Sequence, residues 1–466
     1  INMLASRPSS ATTNTSRGPS GGVAAANFSL PVDKPVAWAP SLGDSRASAA
    51  VLQRWRLDGP AAALHDWECR PFEPLAADPL WMELGMRLQG QPGPRLLVDG
   101  LWFCRPHGGI TRVWEQILSA WSLPGMLSDQ APVALVERNS HLALCAGFPG
   151  LEGRSMDPLD PVAVADLAEE NGALVRRWGA NVFLSSWISS SGREASACPE
   201  LALVHDCLPE RYGVPAPLRC LRRRWLGGAQ AHLAVSAATA MDVAAVLGRP
   251  RGSVPWCHPA AAPLFASTVV DPAADLLWTR LRRRASLRSP YVLLPATSAI
   301  GSYKNPELLA EALVAPALRP LQLVLCGIAA EQRRQELEQH FPHLQGRCQA
   351  AGFSDLELAL VYRHALAVVL PSHAEGFGLP AVEAMASGAT VLVADSRGLC
   401  EAGGGAALRF HSRRASELAA LLQVLMEPGN SWLHCQLATR RQRRLAQLQP
   451  DLIGLALLAL ARRLAL

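Results

Sequence analysis

One stretch restricts what this chain can fold into more than any other: residues 365–395, ALAVVLPSHAEGFGLPAVEAMASGATVLVAD. It reads as strand, loop, helix and strand. LAVVLP (366–371) is an unbroken apolar run with β-branched residues, the pattern of a parallel strand buried on both faces. In the loop SHAEGFG, Gly376 and Gly378 permit positive φ and close approach of a ligand to the backbone. Pro380 suits a first helical turn, where no N–H is needed, and Gly388 suits the position just past the helix end. TVLVA (390–394) is the next buried strand. A glycine loop feeding a helix start presents free N–H groups and the positive end of the helix dipole, which is a place for an anion and most simply for a phosphate.

Two carboxylates frame that loop. Glu375 precedes the glycines, and Glu383 follows eight residues later inside the helix. A carboxylate beside a phosphate repels it. Accepting hydrogen bonds from hydroxyls is the better use, and sugar rings supply hydroxyls.

The run PSHAEGFGLPAVEAMASG resembles the glutamate-x7-glutamate signature of glycosyltransferase family 4, which are retaining enzymes that use nucleotide sugars. The resemblance implies an α/β protein of the GT-B fold, with two Rossmann-like, doubly wound parallel-sheet domains facing each other across a cleft. It implies that Glu375 contacts the donor sugar and Glu383 the nucleotide ribose. The backbone of Gly376, Phe377, Gly378 and Leu379 is then expected to meet the diphosphate or the sugar. It also implies a front-face mechanism, in which the leaving phosphate helps to deprotonate the acceptor.

A chain of 466 residues, 49% of them hydrophobic, has material for two or three domains. Among its 44 basic residues only Lys34 and Lys304 are lysines. In a chain that uses arginine wherever charge alone is wanted, a lysine marks a position where a compact ammonium differs from a planar fork. The 11 cysteines are odd in number and form no CxxC pair, which argues against a disulfide framework or a structural zinc site and for a reducing, cytoplasmic setting. No run of eighteen apolar residues reads as a membrane span, and no secretory leader pattern is seen.

Taken in order, residues 1–48 are rich in Ser, Ala, Thr, Gly and Pro and read as disordered; 49–94 read as a helical extension. The first Rossmann-like domain, expected to take the acceptor, spans 95–285. It opens with the strand RLLVDGLWF, then RPHGGITRVWEQILSAW, where Gly108 and Gly109 sit at a strand-to-helix turn. These two resemble the family's glycine loop facing the donor. Arg112, a turn later, is either a ligand for an anion or a solvated side chain. LALV ends at His205 and Asp206, and ligands bind at such strand ends in open α/β sheets. The HDCLPE run resembles the same region of family 4 enzymes, whose histidine points into the cleft; a metal-binding His-Asp pair is the rival reading.

The second domain, expected to hold the donor, spans 286–445, and 446–466 reads as a terminal helix that in this fold commonly crosses back. After YVLLPA come Lys304, Asn305 and Pro306, the last two expected as N-cap and first residue of a helix. Lys304 is placed to stabilise charge growing on a diphosphate leaving group. The family usually pairs such a lysine with an arginine, and here Thr297, Ser298 and Tyr303 stand in that area instead.

The expectation is a retaining, metal-independent hexosyltransferase with His205, Lys304 and Glu375 as catalytic residues. It needs no cofactor beyond the nucleotide-diphosphate-sugar donor. The HDCLPE run leans towards a GDP-mannose-type donor, and family analogy points to bacterial surface or extracellular polysaccharide. The acceptor is expected to be a glycan or a lipid-linked carrier. Basic runs at 219–224 and 440–444 are expected to draw the protein to an anionic lipid or glycan carrier, at the inner face of the membrane. Nucleic acid is not among the expected partners. The alternative is a non-catalytic GT-B subunit that binds a nucleotide sugar or glycan; an epimerase or a phosphorylase is a further one, the latter disfavoured because the second domain has no lysine besides Lys304 for its cofactor.

Overall fold

The computed structural model describes residues 46–69, 79–105, 108–123, 125–127, 133–138, 147–192, 198–267 and 273–465. Up to residue 45, the stretch expected to be disordered lies outside the described residues, and Lys34 with it; 46–48 already belong to the first helix.

Short apolar runs make two sheets. The first contains β1 (Leu96–Asp99), β2 (Val133–Glu137), β3 (Gly150–Glu152), β4 (Val182–Ser185), β5 (Glu200–Val204) and β6 (Ala231–Ala234), in the order β3-β2-β1-β4-β5-β6. The second contains β7 (Tyr291–Leu294), β8 (Gln322–Leu325), β9 (Cys348–Ala350), β10 (Ala367–Leu370), β11 (Val391–Ala394) and β12 (Leu408–Phe410), in the order β12-β11-β10-β7-β8-β9. All pairings are parallel, with Leu96 opposite both Val133 and Val182, and Leu293 opposite Val324 and Val368.

The runs are unbroken because both sheet faces are covered. Along β5, Leu201 and Leu203 join one core cluster while Ala202 and Val204 join another on the opposite face. Strands with one wet face would alternate instead. In each sheet the strand order reverses beside the first strand, at β1/β4 and at β7/β10, and such a reversal opens a crevice at the strand C-termini. His205 follows β5, Lys304 follows β7, and Glu375 follows β10, so all three stand at that level.

The terminal helix Leu452–Ala465 does cross back. It packs on the helices Pro79–Leu88 and Gly109–Trp121 of the first half. Its apolar run is buried there, and Gly454 brings its backbone close enough for Trp121 Nε1 to donate to the Gly454 carbonyl at 2.9 Å. At its far end Arg462 pairs with the buried Glu83, which Arg87 also holds. Within the extension, the helices Arg46–Glu68 and Pro79–Leu88 pack on each other, and the second also packs on the terminal helix. The first of the two, Arg46–Glu68, is kinked at Gly59, followed by Pro60.

Candidate active site

The loop after β10 is shaped by steric demands that its glycines meet in different ways. Gly378, at the start of the helix Leu379–Ala386, has φ +117°, and a Cβ there would press on Leu399 at 2.7 Å. Gly376 has no positive φ. Its reason is proximity: a Cβ there would lie 2.0 Å from the carbonyl oxygen of His205, in the other domain. Pro380 and Gly388 take their expected places at the two ends of the helix.

Glu375 accepts hydrogen bonds on the same oxygen from Lys304 Nζ at 2.7 Å and from Ser372 Oγ at 2.7 Å. Burial works against the Lys304 ammonium, but Glu375, Tyr303 and Asp206 outweigh it and hold its pKa above the usual lysine value. The ammonium also sits 5.4 Å from the centre of the Tyr303 ring, which packs on Tyr212 of the first domain at 5.3 Å. Burial, more than any charge nearby, pushes the Tyr303 phenol up to about 12. Asn305 departs from expectation. It stands at the cap position with φ +54°, but its side chain caps nothing. Its amide instead donates to the carbonyls of Pro371 and Ser412, at 3.1 and 2.9 Å, because those loops crowd around the helix start.

From the first domain, His205 presents a buried Nε2 that has no hydrogen-bond partner. Burial, assisted by the Arg222 guanidinium, lowers its pKa to about 3, so the imidazole is neutral at any working pH. Arg222 is held by Glu210 at 2.7 Å and by the Asp206 carbonyl at 2.9 Å. Among the described residues, no group of three or more His, Cys, Asp or Glu side chains is gathered to hold a metal ion.

Beside His205 the two domains are stapled. Ser236 caps the helix Ala237–Val246 through the Thr239 amide at 3.0 Å, and the hydroxyls of Ser236 and Thr239 both donate to the Gly376 carbonyl. The Glu401 carboxylate receives the next amides of that helix, Ala237 N–H at 2.8 Å and Ala238 N–H at 2.6 Å, as an anion at a helix N-terminus does. His258 lies 3.1 Å from Glu401, and its ring stacks on Phe377 at 4.8 Å. The Phe377 side chain therefore faces the first domain, which leaves its backbone for any ligand.

The second staple is Arg112. It rises from the first turn of the helix Gly109–Trp121, just after Gly108, and reaches across to Glu383 at 2.6 Å and to Asp355. Glu383 is 1% exposed and Arg112 15%. A Cβ on Gly109 would meet nothing within 4 Å, so the glycine turn borders open space. Around the same level Thr297 Oγ1, Ser396 Oγ and Arg112 Nε are buried without hydrogen-bond partners. The cavity bounded by Lys304, Thr297, Glu375 and Pro380 is small, about 10 Å³. Grooves of about 640 and 560 Å³ run along the β9 edge beside Arg284 and Arg288, but they hold none of these converging groups. Chemistry rather than size marks the site.

The structure thus gathers His205, Lys304, Glu375 and the 376–379 loop at one place, with Glu383 tied to the helix that begins at Gly108–Gly109. Sequence reasoning left Arg112 undecided and gave Asp355, His258 and the Ser236–Thr239 pair no part at the cleft. Arg112 carried a signal, one turn past a glycine pair; the others carried none, since their partners are far away in sequence. The basic run 440–444 is largely spent internally: Arg440, Arg441 and Arg444 donate to the carbonyls of Gly405, Ala389 and Glu401. Arg219, Arg223 and Arg224 do lie exposed on the helix Ala216–Gly228. No helix among the described residues is long and apolar enough to cross a membrane.

Residues 280–438 match the family model for glycosyl transferases group 1. A D-inositol 3-phosphate glycosyltransferase of Corynebacterium aurimucosum is 29% identical over 167 residues, which is 34% of this chain. The match spans 40% of that relative's length. Among solved structures, HepE of Anabaena in complex with UDP-glucose superposes with a TM-score of 0.60 at 17% identity, covering 79% of this chain and 98% of that one. Sucrose-phosphate synthase of Thermosynechococcus elongatus superposes with a TM-score of 0.62 at 20% identity, covering 80% and 99%. These likenesses show the fold, a two-domain GT-B architecture of two facing parallel sheets.

Proposed function

We propose that this chain is a glycosyltransferase that moves a sugar, with retention, from a nucleotide-diphosphate-sugar to an acceptor hydroxyl. The observation that carries the reading is the Lys304–Glu375 pair at 2.7 Å, set at the start of the helix Leu379–Ala386, with the backbone of His205 packed against the adjoining Gly376. The diphosphate lies against Lys304 and the 376–379 amides, Glu375 and His205 hold sugar hydroxyls, and Glu383 receives the ribose. As the bond from the anomeric carbon to the diphosphate breaks, its electron pair goes to the phosphate oxygen. The acceptor oxygen bonds to the same carbon and gives its proton to that phosphate. Lys304 and the helix dipole stabilise the departing charge without a metal ion.

The group 1 match over the second domain and the donor seen in HepE support the donor class. GDP-mannose-type and UDP-sugars are both in scope. The acceptor is a glycan or lipid-linked carrier in polysaccharide assembly, met at the first domain, where exposed Arg219, Arg223 and Arg224 offer attraction to an anionic carrier on the cytoplasmic face. A non-catalytic donor-binding subunit is the second reading, favoured by the lone lysine among Thr297, Ser298 and Tyr303.

The test is donor hydrolysis and binding across UDP-, GDP- and ADP-sugars with EDTA present. Turnover of one donor that persists in EDTA supports the transferase and names the nucleotide. Tight binding without turnover, with acceptors supplied, selects the second reading, and no binding of any donor defeats both.

A further inference from the structure

We propose that Arg112 is the second cation of the diphosphate site, delivered across the cleft by the first domain. The inference rests on the reading of the cleft as a nucleotide-sugar site. The second domain alone is short of charge there: the cavity at Lys304 is lined by Thr297, Ser298, Ser372 and prolines, with no arginine among its walls. A diphosphate whose bond to a sugar is breaking gathers charge that one ammonium meets only in part.

Arg112 has the position and the free valence for this. It stands on the first turn of a helix whose start, Gly108–Gly109, borders open space. Its guanidinium already lies inside the second domain's half of the site, 2.6 Å from Glu383, with Cys326 at the end of β8 close enough to feel its charge. Two of its nitrogens are engaged, by Glu383 and Asp355, while Nε–H is buried and has no acceptor. A buried donor without a partner costs free energy that an incoming oxygen recovers.

Lys304 rests on Glu375, and Arg112 rests on Glu383 and on the more exposed Asp355, so each carboxylate that the proposed reading assigns to the donor's hydroxyls holds one cation. An arriving diphosphate draws both cations, taking Nε–H of Arg112 first. The carboxylates are then left to the sugar and the ribose. As the electron pair of the breaking bond collects on the phosphate oxygen, the planar fork of Arg112 meets it from the first domain and Lys304 from the second. Leaving-group stabilisation thereby requires the two domains to be together.

Binding of a nucleoside diphosphate and of its parent nucleoside is measured by calorimetry for wild type, Arg112→Met, Arg112→Lys, Glu383→Gln and the double variant Arg112→Met/Glu383→Gln, which leaves no buried charge alone. The expected result for Arg112→Met is a loss of about ten- to hundredfold in diphosphate affinity with nucleoside affinity nearly unchanged, and the double variant loses a similar factor in diphosphate affinity relative to Glu383→Gln alone. Arg112→Lys recovers part of it. Donor turnover falls in Arg112→Met and rises again when guanidinium ion is added. Equal weakening of diphosphate and nucleoside, or tighter diphosphate binding, overturns the proposal and makes Arg112 a strut between domains. If the double variant binds diphosphate as Glu383→Gln alone does, the proposal is likewise overturned. Absence of nucleoside diphosphate binding in the wild type refutes the nucleotide-sugar reading itself, a different failure from the others.

Discussion

Gly376 and His205 touch through their backbones: a Cβ on Gly376 would lie 2.0 Å from the His205 carbonyl oxygen and 3.0 Å from the Asp206 Cβ. Neither neighbour is a flexible side-chain end. The glycine is what lets the donor loop of one domain close on the strand end of the other.

Gly376→Ala therefore holds the cleft open. The loop's own fold survives, since φ at this position is not in the glycine-only region. Expected are a larger radius of gyration by small-angle scattering and donor binding weakened by about tenfold or more, for a clash worth roughly 1–3 kcal/mol. Unchanged scattering and affinity would show that the contact is not needed.

Glu401→Ala removes the carboxylate that receives Ala237 and Ala238 N–H, at 2.8 and 2.6 Å, and that faces His258. Charge-assisted bonds of this sort contribute about 1.5–3 kcal/mol each, net of the exchange with water. The expected outcome is a fall of several degrees in melting temperature, about 2–4 °C per kcal/mol for domains of this size. Glu401→Gln, which keeps an acceptor, falls less. Calorimetry that shows both variants melting with the wild type would remove the staple from the account.

Lys304→Ala is expected to cut donor turnover by about 10²–10³, the usual loss when one group that stabilises developing charge is removed. Lys304→Arg restores little, because the ammonium fits between Glu375 and the Tyr303 ring where a planar fork does not. Steady-state donor hydrolysis decides this, and turnover near wild type in Lys304→Ala would take the lysine out of the reaction.

His205 gives an acid-side signature. Its folded pKa is lowered to about 3, by burial first and the Arg222 charge second. The unfolded chain binds the proton near pH 6.5, so the stability that the neutral ring supplies is present above that pH and is lost as the pH falls from about 6.5 towards 3. By pH 5 the loss reaches up to about 2 kcal/mol. His205→Gln should flatten this part of the curve of melting temperature against pH between 7 and 5. A variant with the same acid slope as wild type contradicts the assignment.

How much of this was legible in the chain follows from the range of each interaction. The 365–395 unit was readable down to Pro380, Gly378 and Gly388, because strand burial, a left-handed glycine and a proline first turn are each set within a few residues. The Asn305 side chain was misread for the opposite reason. The local pattern of a cap was present, but Pro371 and Ser412, brought in from other loops, offered its amide better acceptors.

By itself, then, the sequence determined the alternation of buried strands and helices, the reversal of that pattern into two sheets, and the carboxylate, glycine and lysine positions at the strand ends. These depend on hydrophobic period and on backbone sterics, which act between near neighbours. Only the tertiary structure decided which groups oppose them: Arg112 on Glu383 across 271 positions, Glu401 on Ala237 across 164, Ser236 on Gly376 across 140. In a chain whose cations are nearly all arginines, the glycine pair one turn before Arg112 is the local mark that sets it apart, and it does not say which carboxylate the side chain meets. That choice is made by the packing of two complete domains, which fixes the few directions in which a buried charge can find its partner.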